Sequence, residues 1–247
     1  GLVGIKPTVG LTSRAGVVPI SRTQGTVGPM CRSVADAAAV LGALTGVDPR
    51  DAAATDSDGL SYTDYTQFLD PNGLEGARIG VARELFFFSP ETAAVTEVAI
   101  EALASAGAEV IDPVSFPSFA EFAVSPSEFE VLLWECKTDI TLYLEAAPQD
   151  HRERWPISWP FNEANADSEL AFFGQEIFEL AQARGELTDP VYLAWLEESR
   201  RTSRTEGLDA VLDGEGLDAI LAPTGTSVPL CVTIDGVLSR VGPDACS

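Results

Sequence analysis

Residues 77–113 read ARIGVARELFFFSPETAAVTEVAIEALASAGAEVIDP, and this stretch decides the fold class. Short apolar runs at 77–82 and 108–113 predict two buried strands. Ser89 can cap a helix between them, and Gly107 can end it. A strand, a helix and a second strand in succession form a right-handed parallel unit by default. The sequence therefore predicts an α/β protein.

Apolar spacing and capping residues extend this pattern along the chain. The predicted helices lie at 33–45, 126–146, 162–183 and 189–212, and a further strand lies at 217–224. Ser33 can cap the first of these helices, and Pro148 follows the end of the second. Residues 48–76 are polar and rich in turn formers, so we expect a surface excursion there.

The chain is strongly acidic, with 38 Asp and Glu against 15 Lys and Arg and a net charge of −23. Such a field repels phosphate backbones, so we expect no nucleic-acid partner. The apolar runs all fall short of the roughly 20 residues that cross a bilayer, so we expect no membrane span. The acidic residues are dispersed and there are only two lysines, Lys6 and Lys137, which indicates a solvated acidic surface. Adaptation to high salt is the alternative interpretation.

The cysteines and the histidine do not fit a metal site. Four cysteines are widely spaced along the chain, namely Cys31, Cys136, Cys231 and Cys246. His151 is the only histidine, and no CxxC pair occurs. A disulfide framework is not expected in a chain of this size. The sequence therefore predicts no metal site and a reduced, cytoplasmic location.

Common catalytic patterns are also missing. A Ser-His-Asp triad would need His151, which lies in a charged stretch typical of a solvated surface. Neither GxGxxG nor GxxxxGK[ST] occurs, so no phosphate-binding loop is predicted. A lysine base would have to be Lys6 or Lys137. Residue patterns alone thus indicate an α/β domain without a visible active site.

A long motif at the start of the sequence is more specific. Residues 1–41 read GLVGIKPTVGLTSRAGVVPISRTQGTVGPMCRSVADAAAVL. The combination of G-L-V-G-I-K-P-T, S-R-A-G and G-P-x-x-R-S-V-x-D-A resembles the segment that follows the catalytic serine loop of amidase-signature hydrolases. The branch that contains peptide amidase is resembled by further stretches, at 76–86, 131–144, 161–181, 187–195 and 216–224.

The resemblance implies a mixed central β-sheet flanked by helices and the hydrolysis of a carboxamide to an acid and an amine. The family uses a serine nucleophile, a second serine held by a cis peptide, and a lysine, while backbone N–H groups stabilise the oxyanion. It implies neither a metal nor an organic cofactor. The implied partner is a small-molecule or peptide amide. Peptide C-terminal amides, small aliphatic amides and transamidation of charged tRNA stay open.

All three catalytic groups of the family precede the GLVGIKPT element. We therefore identify no catalytic residue in this sequence. We expect residues 1–247 to be the C-terminal part of an amidase domain, with an incomplete sheet, inactive alone and completed by the N-terminal half of the same enzyme. Residues 225–247 depart from the family pattern, and Gly25 stands where the family usually has aspartate. The alternative is a non-catalytic scaffold that binds a partner, or a gene remnant.

The resemblance also nominates residues that line the substrate pocket. They are Trp134, Glu135, Asn162, Phe173, Gln175, Thr224 and Gly225. Core packing is the alternative role for the two aromatic residues. Helix capping is the alternative for Asn162, an exposed helix position for Gln175, and turn closure for Thr224. Gly28 and Pro29 are expected to support the loop beneath the nucleophile.

Overall fold

The computed structural model describes residues 2–86, 90–146, 158–171, 174–223, 230–232 and 238–240. The chain divides into two compact units, each with its own hydrophobic core. The first unit comprises Gly1–Asp70 and Pro126–Leu196, and the second comprises Pro71–Ser125 and Glu197–Ser247.

Short strands and helices alternate along the chain. The strands are β1 (Val3–Gly4), β2 (Met30–Cys31), β3 (Arg78–Val81), β4 (Glu109–Ile111), β5 (Ala219–Leu221), β6 (Leu230–Val232) and β7 (Leu238–Arg240). The α-helices are α1 (Val34–Leu44), α2 (Pro90–Ser105), α3 (Phe119–Phe122), α4 (Ser127–Ala146), α5 (Ser158–Ala164), α6 (Ala166–Glu169), α7 (Glu176–Gln182), α8 (Pro190–Arg200) and α9 (Asp209–Glu215). Single 3-10 turns lie at Ala52–Ser57, Thr66–Phe68 and Arg83–Leu85, and a π-helix lies at Arg201–Leu208.

A three-stranded parallel sheet, in the order β4, β3, β5, forms the centre of the second unit. Ile79 of β3 lies opposite Val110 of β4 and Ala219 of β5. The strands predicted from the sequence around these three residues are therefore confirmed, and so is the α/β class. Two antiparallel pairs, β1 with β2 and β6 with β7, form separate two-stranded sheets, and an isolated antiparallel bridge joins Thr12 and Thr45.

The core of the second unit packs against one face of β3. Its buried members are Ala82, Val114, Val211 and Leu217. Gly80 is where the sheet and this core approach most closely, because a Cβ there would lie 2.6 Å from Leu217 Cδ1 and 3.0 Å from Val114 Cγ1. A larger residue at Gly80 would thus force the core apart.

The first unit is built around α4. Val131 and Trp134 on this helix pack with Tyr192 of α8, and Leu133 and Cys136 pack with Ala181 of α7. These contacts bury two faces of one helix, because residues three and four apart share a face. The predicted helix at 126–146 and its apolar spacing are confirmed.

The first predicted helix is confirmed together with its cap. Ser33 precedes α1, and its hydroxyl oxygen accepts a hydrogen bond from Asp36 N at 3.1 Å. That bond satisfies one of the backbone donors that the first turn of a helix leaves free.

The long helix predicted at 162–183 is wrong. The described part of this range instead contains α5, α6 and α7, which are all short. Asn165 leaves the helical region with φ −117°, and its side-chain amide donates to Phe161 O at 2.8 Å. Ser168 donates to Asn165 O at 3.0 Å. Polar side chains that bond to nearby backbone compete with helix continuation, which explains the interruption.

The helix predicted at 189–212 forms, but its middle is a π-helix. The hydroxyl of Ser118 donates to Thr202 O at 2.6 Å. Gly207 lies within the widened segment, and a Cβ there would approach Thr202 O to 2.5 Å. A contact from Ser118, just before α3, and a glycine thus accompany the departure from α-helical spacing.

The segment at 48–76, predicted as a surface excursion, consists mainly of turns. Two 3-10 turns lie within it, and most residues from Asp58 to Leu69 are exposed. Ala54 and Ser57 are buried, so the first of the two turns packs into its unit. No helix among the described residues combines the length and apolarity that crossing a bilayer requires.

Candidate functional site

A cleft of about 680 Å³ lies in the first unit, between the loop at 14–27 and α4. The loop contributes an apolar run that includes Val17, Val18 and Ile20, each at least 46% exposed. Helix α4 contributes Leu142 and Tyr143. Five charged side chains also line the cleft: Arg14 pairs with Asp51, Arg22 pairs with Asp139, and Arg50 pairs with Asp48. The cleft is thus apolar along one edge and lined by paired charges elsewhere.

Arg14, at the start of the loop, is hydrogen-bonded both to Asp51 and to the backbone of the loop at Arg22. Its Nε and Nη2 donate to the two carboxylate oxygens of Asp51 at 2.9 and 2.8 Å, and its backbone N donates to Asp51 Oδ2 at 2.9 Å. Its Nη1 donates to Arg22 O at 2.6 Å. Hydrogen bonds from Arg14 lower the pKa of Asp51 to about 2, so this carboxylate stays ionised at neutral pH.

The second anchor is Glu135 of α4, whose side chain is fully buried. Its Oε2 accepts hydrogen bonds from the Ser21 hydroxyl, from Thr23 N at 3.2 Å and from Thr23 Oγ1 at 3.0 Å. Its Oε1 accepts one from the Tyr192 hydroxyl at 2.6 Å. Four neutral donors therefore compensate the burial of this acid.

The third anchor is the ion pair between Arg22 and Asp139. Arg22 Nε and Nη2 both donate to Asp139 Oδ1, the first at 2.7 Å. Burial raises the pKa of Asp139, although the hydrogen bond from Arg22 opposes that change. Asp139 Oδ2 is buried and has no hydrogen-bond partner among the described residues. This carboxylate is therefore the less well satisfied of the two acids that α4 presents to the loop.

Gly28 and Pro29 lie where the loop leaves the cleft and passes the G-I-K-P element. Pro29 O accepts a hydrogen bond from Ile5 N at 3.1 Å. A Cβ at Gly28 would lie 1.8 Å from Ile5 O and 2.9 Å from Pro7 Cδ. Only glycine allows this approach. Support of a loop beneath the nucleophile by Gly28 and Pro29 stays a prediction.

Gly25 closes the turn that begins at Ser21. Gly25 N donates to Ser21 O at 2.8 Å, and a Cβ at Gly25 would lie 2.7 Å from the same oxygen. An aspartate at position 25 would therefore require the turn to shift in this chain.

Two of the nominated pocket residues, Trp134 and Glu135, are buried in the first unit. Among the described residues, the cleft lining includes neither of them. The Trp134 ring packs on Tyr192 with centroids 5.9 Å apart. Their contribution to a substrate pocket stays a prediction.

Asn162 and Gln175 are brought together, since Asn162 Nδ2 donates to Gln175 Oε1 at 2.9 Å. Gln175 is buried rather than exposed, and it precedes the first turn of α7. Phe173, Thr224 and Gly225 lie outside the described residues. The role of all five in binding substrate stays a prediction.

Neither lysine is placed as a catalytic base in this structure. Lys6 is exposed. Lys137 Nζ donates to Arg184 O at 2.5 Å and to Gln182 O at 3.4 Å, at the end of α7. This arrangement stabilises the last carbonyls of a helix. No group of acidic, cysteine and histidine side chains suited to a metal ion occurs in the part of the chain that the structure describes.

Sequence reasoning nominated Glu135, as a pocket residue, but missed the other charged side chains that hold the loop, namely Arg14, Arg22, Asp51 and Asp139. A signal was present for Asp139, which lies four residues after Glu135 and so on the same face of a helix whose neighbours Leu133 and Cys136 are core residues. Acidic residues on an apolar face indicate buried partners. The partner of Arg14, Asp51, is 37 residues away and carries no such signal.

Comparison with known proteins relates most of the chain to one family. The amidase family model matches residues 1–235. A "probable amidase" of Arabidopsis thaliana is 34% identical over 239 residues, which cover 95% of this chain and 45% of that protein. A component of the glutamyl-tRNA(Gln) amidotransferase of Synechococcus elongatus is 41% identical over 133 residues, which cover 52% of this chain and 26% of that protein.

Native peptide amidase from Stenotrophomonas maltophilia has a similar structure. The TM-score is 0.82 at 42% sequence identity, over 93% of this chain and 46% of that chain. The chain thus spans less than half the length of each of these three relatives. The likeness confirms the predicted amidase-signature fold. The chain belongs to the amidase-signature family, and within that family it is similar to peptide amidase.

Proposed function

We propose that this chain is part of a hydrolase that cleaves the C–N bond of a linear carboxamide. The observation that carries the proposal is the family match over residues 1–235. Similarity to peptide amidase favours peptide C-terminal amides or small aliphatic amides as the substrate class. The net charge of −23 argues against a charged tRNA as substrate, because it repels phosphates.

Within that enzyme, the chain supplies the walls of the pocket and its support, and other sequence supplies the nucleophile. In the mechanism that the resemblance implies, a serine attacks the amide carbon and its proton passes through a second serine to a lysine. The positions of Lys6, which is exposed, and Lys137, which holds backbone carbonyls, support a lysine from elsewhere. The chain alone is therefore expected to be inactive.

In this proposal, the loop at 14–27 serves as a rigid wall of the cleft. Three carboxylates, from Asp51, Glu135 and Asp139, hold it through eight hydrogen bonds to its side chains and backbone. A wall fixed in advance of binding lowers the entropic cost of orienting a substrate. Each charged side chain of the cleft lining is paired with an opposite charge, which suits an uncharged amide.

The proposed partner is the N-terminal half of the same enzyme. The support is the share of each relative that this chain leaves unmatched. We also propose a cytoplasmic location, supported by the free thiols of Cys31 and Cys136.

The test compares the chain alone with the chain joined to the protein sequence encoded directly upstream of it. Release of ammonia from an N-acylated dipeptide amide is measured for both. We expect turnover only from the joined form, and its loss when the upstream nucleophilic serine is changed to alanine. Turnover by the purified chain alone at an enzymic rate would show that the nucleophile lies within it. An upstream sequence without a lysine and a glycine-serine loop, or an inert joined form, would contradict the amidase proposal.

A further inference from the structure

The turn from Ser21 to Gly25 is a distinct part of the cleft wall. Its backbone closes through Gly25 N donating to Ser21 O at 2.8 Å, and Gln24 N donates to Ser21 Oγ at 3.2 Å. Ser21, Arg22, Thr23 and Gly25 all line the cleft. The position of this turn therefore shapes whatever binds there.

Glu135 joins this turn to the core of the first unit. One carboxylate oxygen, Oε2, accepts all three bonds from the turn, and the other, Oε1, accepts the bond from Tyr192. The two oxygens thus have separate tasks, one toward the loop and one toward α8. The side chain is fully buried, so water does not replace either set of partners.

The pattern of donors suits a carboxylate better than an amide, because a carboxylate accepts on both oxygens and carries a charge. A glutamine at 135 offers one acceptor oxygen and one NH₂ group, which can only donate. If the oxygen stays with the turn, the NH₂ faces the Tyr192 hydroxyl, which can rotate to accept. If the NH₂ faces the turn, it meets the backbone N–H of Thr23, which cannot reorient.

We infer that Glu135 is a positioning residue, which fixes the Ser21–Gly25 turn at the cleft without itself lining the cleft. This inference deepens the proposed function and rests on it for its catalytic consequence. Its structural part stands separately, because the position of the turn can be measured without substrate.

The first experiment measures amide hydrogen exchange in the full chain. In Glu135→Gln, we expect the Thr23 amide to exchange at least about tenfold faster, because a neutral amide oxygen replaces the charged acceptor of its hydrogen bond. In Tyr192→Phe, which removes the contact on Oε1, Thr23 should keep its protection. The matched control is Glu130→Gln on the same helix, which breaks the bidentate pair with Arg184 and leaves the turn untouched.

A merely structural role for Glu135 predicts a different result. Glu135→Gln and Tyr192→Phe would then lower the free energy of unfolding to similar extents and speed exchange throughout α4, with no excess at Thr23. Unchanged exchange at Thr23 in Glu135→Gln would overturn the inference outright.

The second experiment uses the form joined to its upstream sequence. We expect Glu135→Gln to lower kcat for a peptide amide about tenfold or more while KM changes less than threefold, and Glu130→Gln to leave both near the parent values. Equal loss in these two variants would overturn a positioning role. If no variant, including the parent, hydrolyses amides, the proposed function fails, and the exchange experiment still decides the position of the turn.

Discussion

The ion pair between Arg14 and Asp51 gives a prediction whose size follows from the structure. The Asp51 side chain is 7% exposed and accepts three hydrogen bonds from Arg14 and one from Ala53 N at 3.2 Å. The pKa of this carboxyl falls from 3.8 to about 2, mainly because of the hydrogen bonds from Arg14. At about 1.4 kcal/mol per pH unit, this difference corresponds to about 2.5 kcal/mol of folding stability.

The sign of the effect is fixed by the direction of the pKa change. A carboxyl whose pKa is lower in the folded state stabilises the protein above its unfolded pKa, and it loses that contribution as the pH falls through the folded value of about 2. Asp51→Asn should therefore lower the free energy of unfolding by about 2–3 kcal/mol at pH 7. At pH 3, the difference between parent and variant should shrink by about 1 kcal/mol, since the unfolded chain is then largely protonated and the folded one is not.

Urea unfolding followed by tryptophan fluorescence measures this difference at pH 7, 5 and 3. The matched control is Asp48→Asn, because Asp48 pairs with Arg50, whose side chain is 76% exposed. Water reaches Arg50 and screens that pair, so we expect Asp48→Asn to lower the free energy of unfolding by less than Asp51→Asn does. A loss below about 0.5 kcal/mol for Asp51→Asn at pH 7, or a loss that does not change with pH, would refute the reasoning.

Three further predictions concern packing, a helix end and charge. Gly28→Ala should destabilise the chain by about 1–3 kcal/mol, because its Cβ would meet Ile5 O. The control is Gly4→Ala, whose Cβ would lie 3.9 Å from Met30 Cγ and which should be close to neutral in the same urea titration. Lys137→Met should lower the free energy of unfolding by about 1–2 kcal/mol, because it removes the hydrogen bonds from Lys137 Nζ to the carbonyls of Gln182 and Arg184. Faster amide exchange in α7 would reveal the loss, and unchanged exchange there would contradict it. The melting temperature should rise between about 0.1 and 2 M KCl, because salt screens repulsion within a chain of net charge −23. A melting temperature that stays constant or falls with added salt would contradict adaptation to high salt.

Local patterns were enough to predict the elements whose signals lie close together in the sequence. The cap of α1 uses Ser33 and an amide three residues later, and β3 and β4 are short apolar runs on either side of one helix. Such features depend on neighbouring residues, so their physics is present in the sequence itself.

The errors occurred where side chains changed the path of the backbone. The apolar spacing at 162–183 favoured one helix, but Asn165 and Ser168 bond to nearby carbonyls and divide it. The π-helix at Arg201–Leu208 accompanies a hydrogen bond from Ser118, 84 residues before Thr202. The spacing of apolar residues predicts neither the break in the helix nor the π-helix, because both depend on polar side chains and their partners.

The sequence by itself determined the α/β class, most of the helices and strands, and the family to which the chain belongs, because repeated spacing and a long gapped motif are written in consecutive residues. Tertiary structure alone decided how the candidate site is held. The carboxylate of Glu135 accepts hydrogen bonds from Ser21 and Thr23, which lie over 110 residues away in the sequence. Arg14 donates to Asp51, which lies 37 residues away. Burial in the folded unit makes these contacts strong, since it removes the water that would otherwise compete for every donor and acceptor.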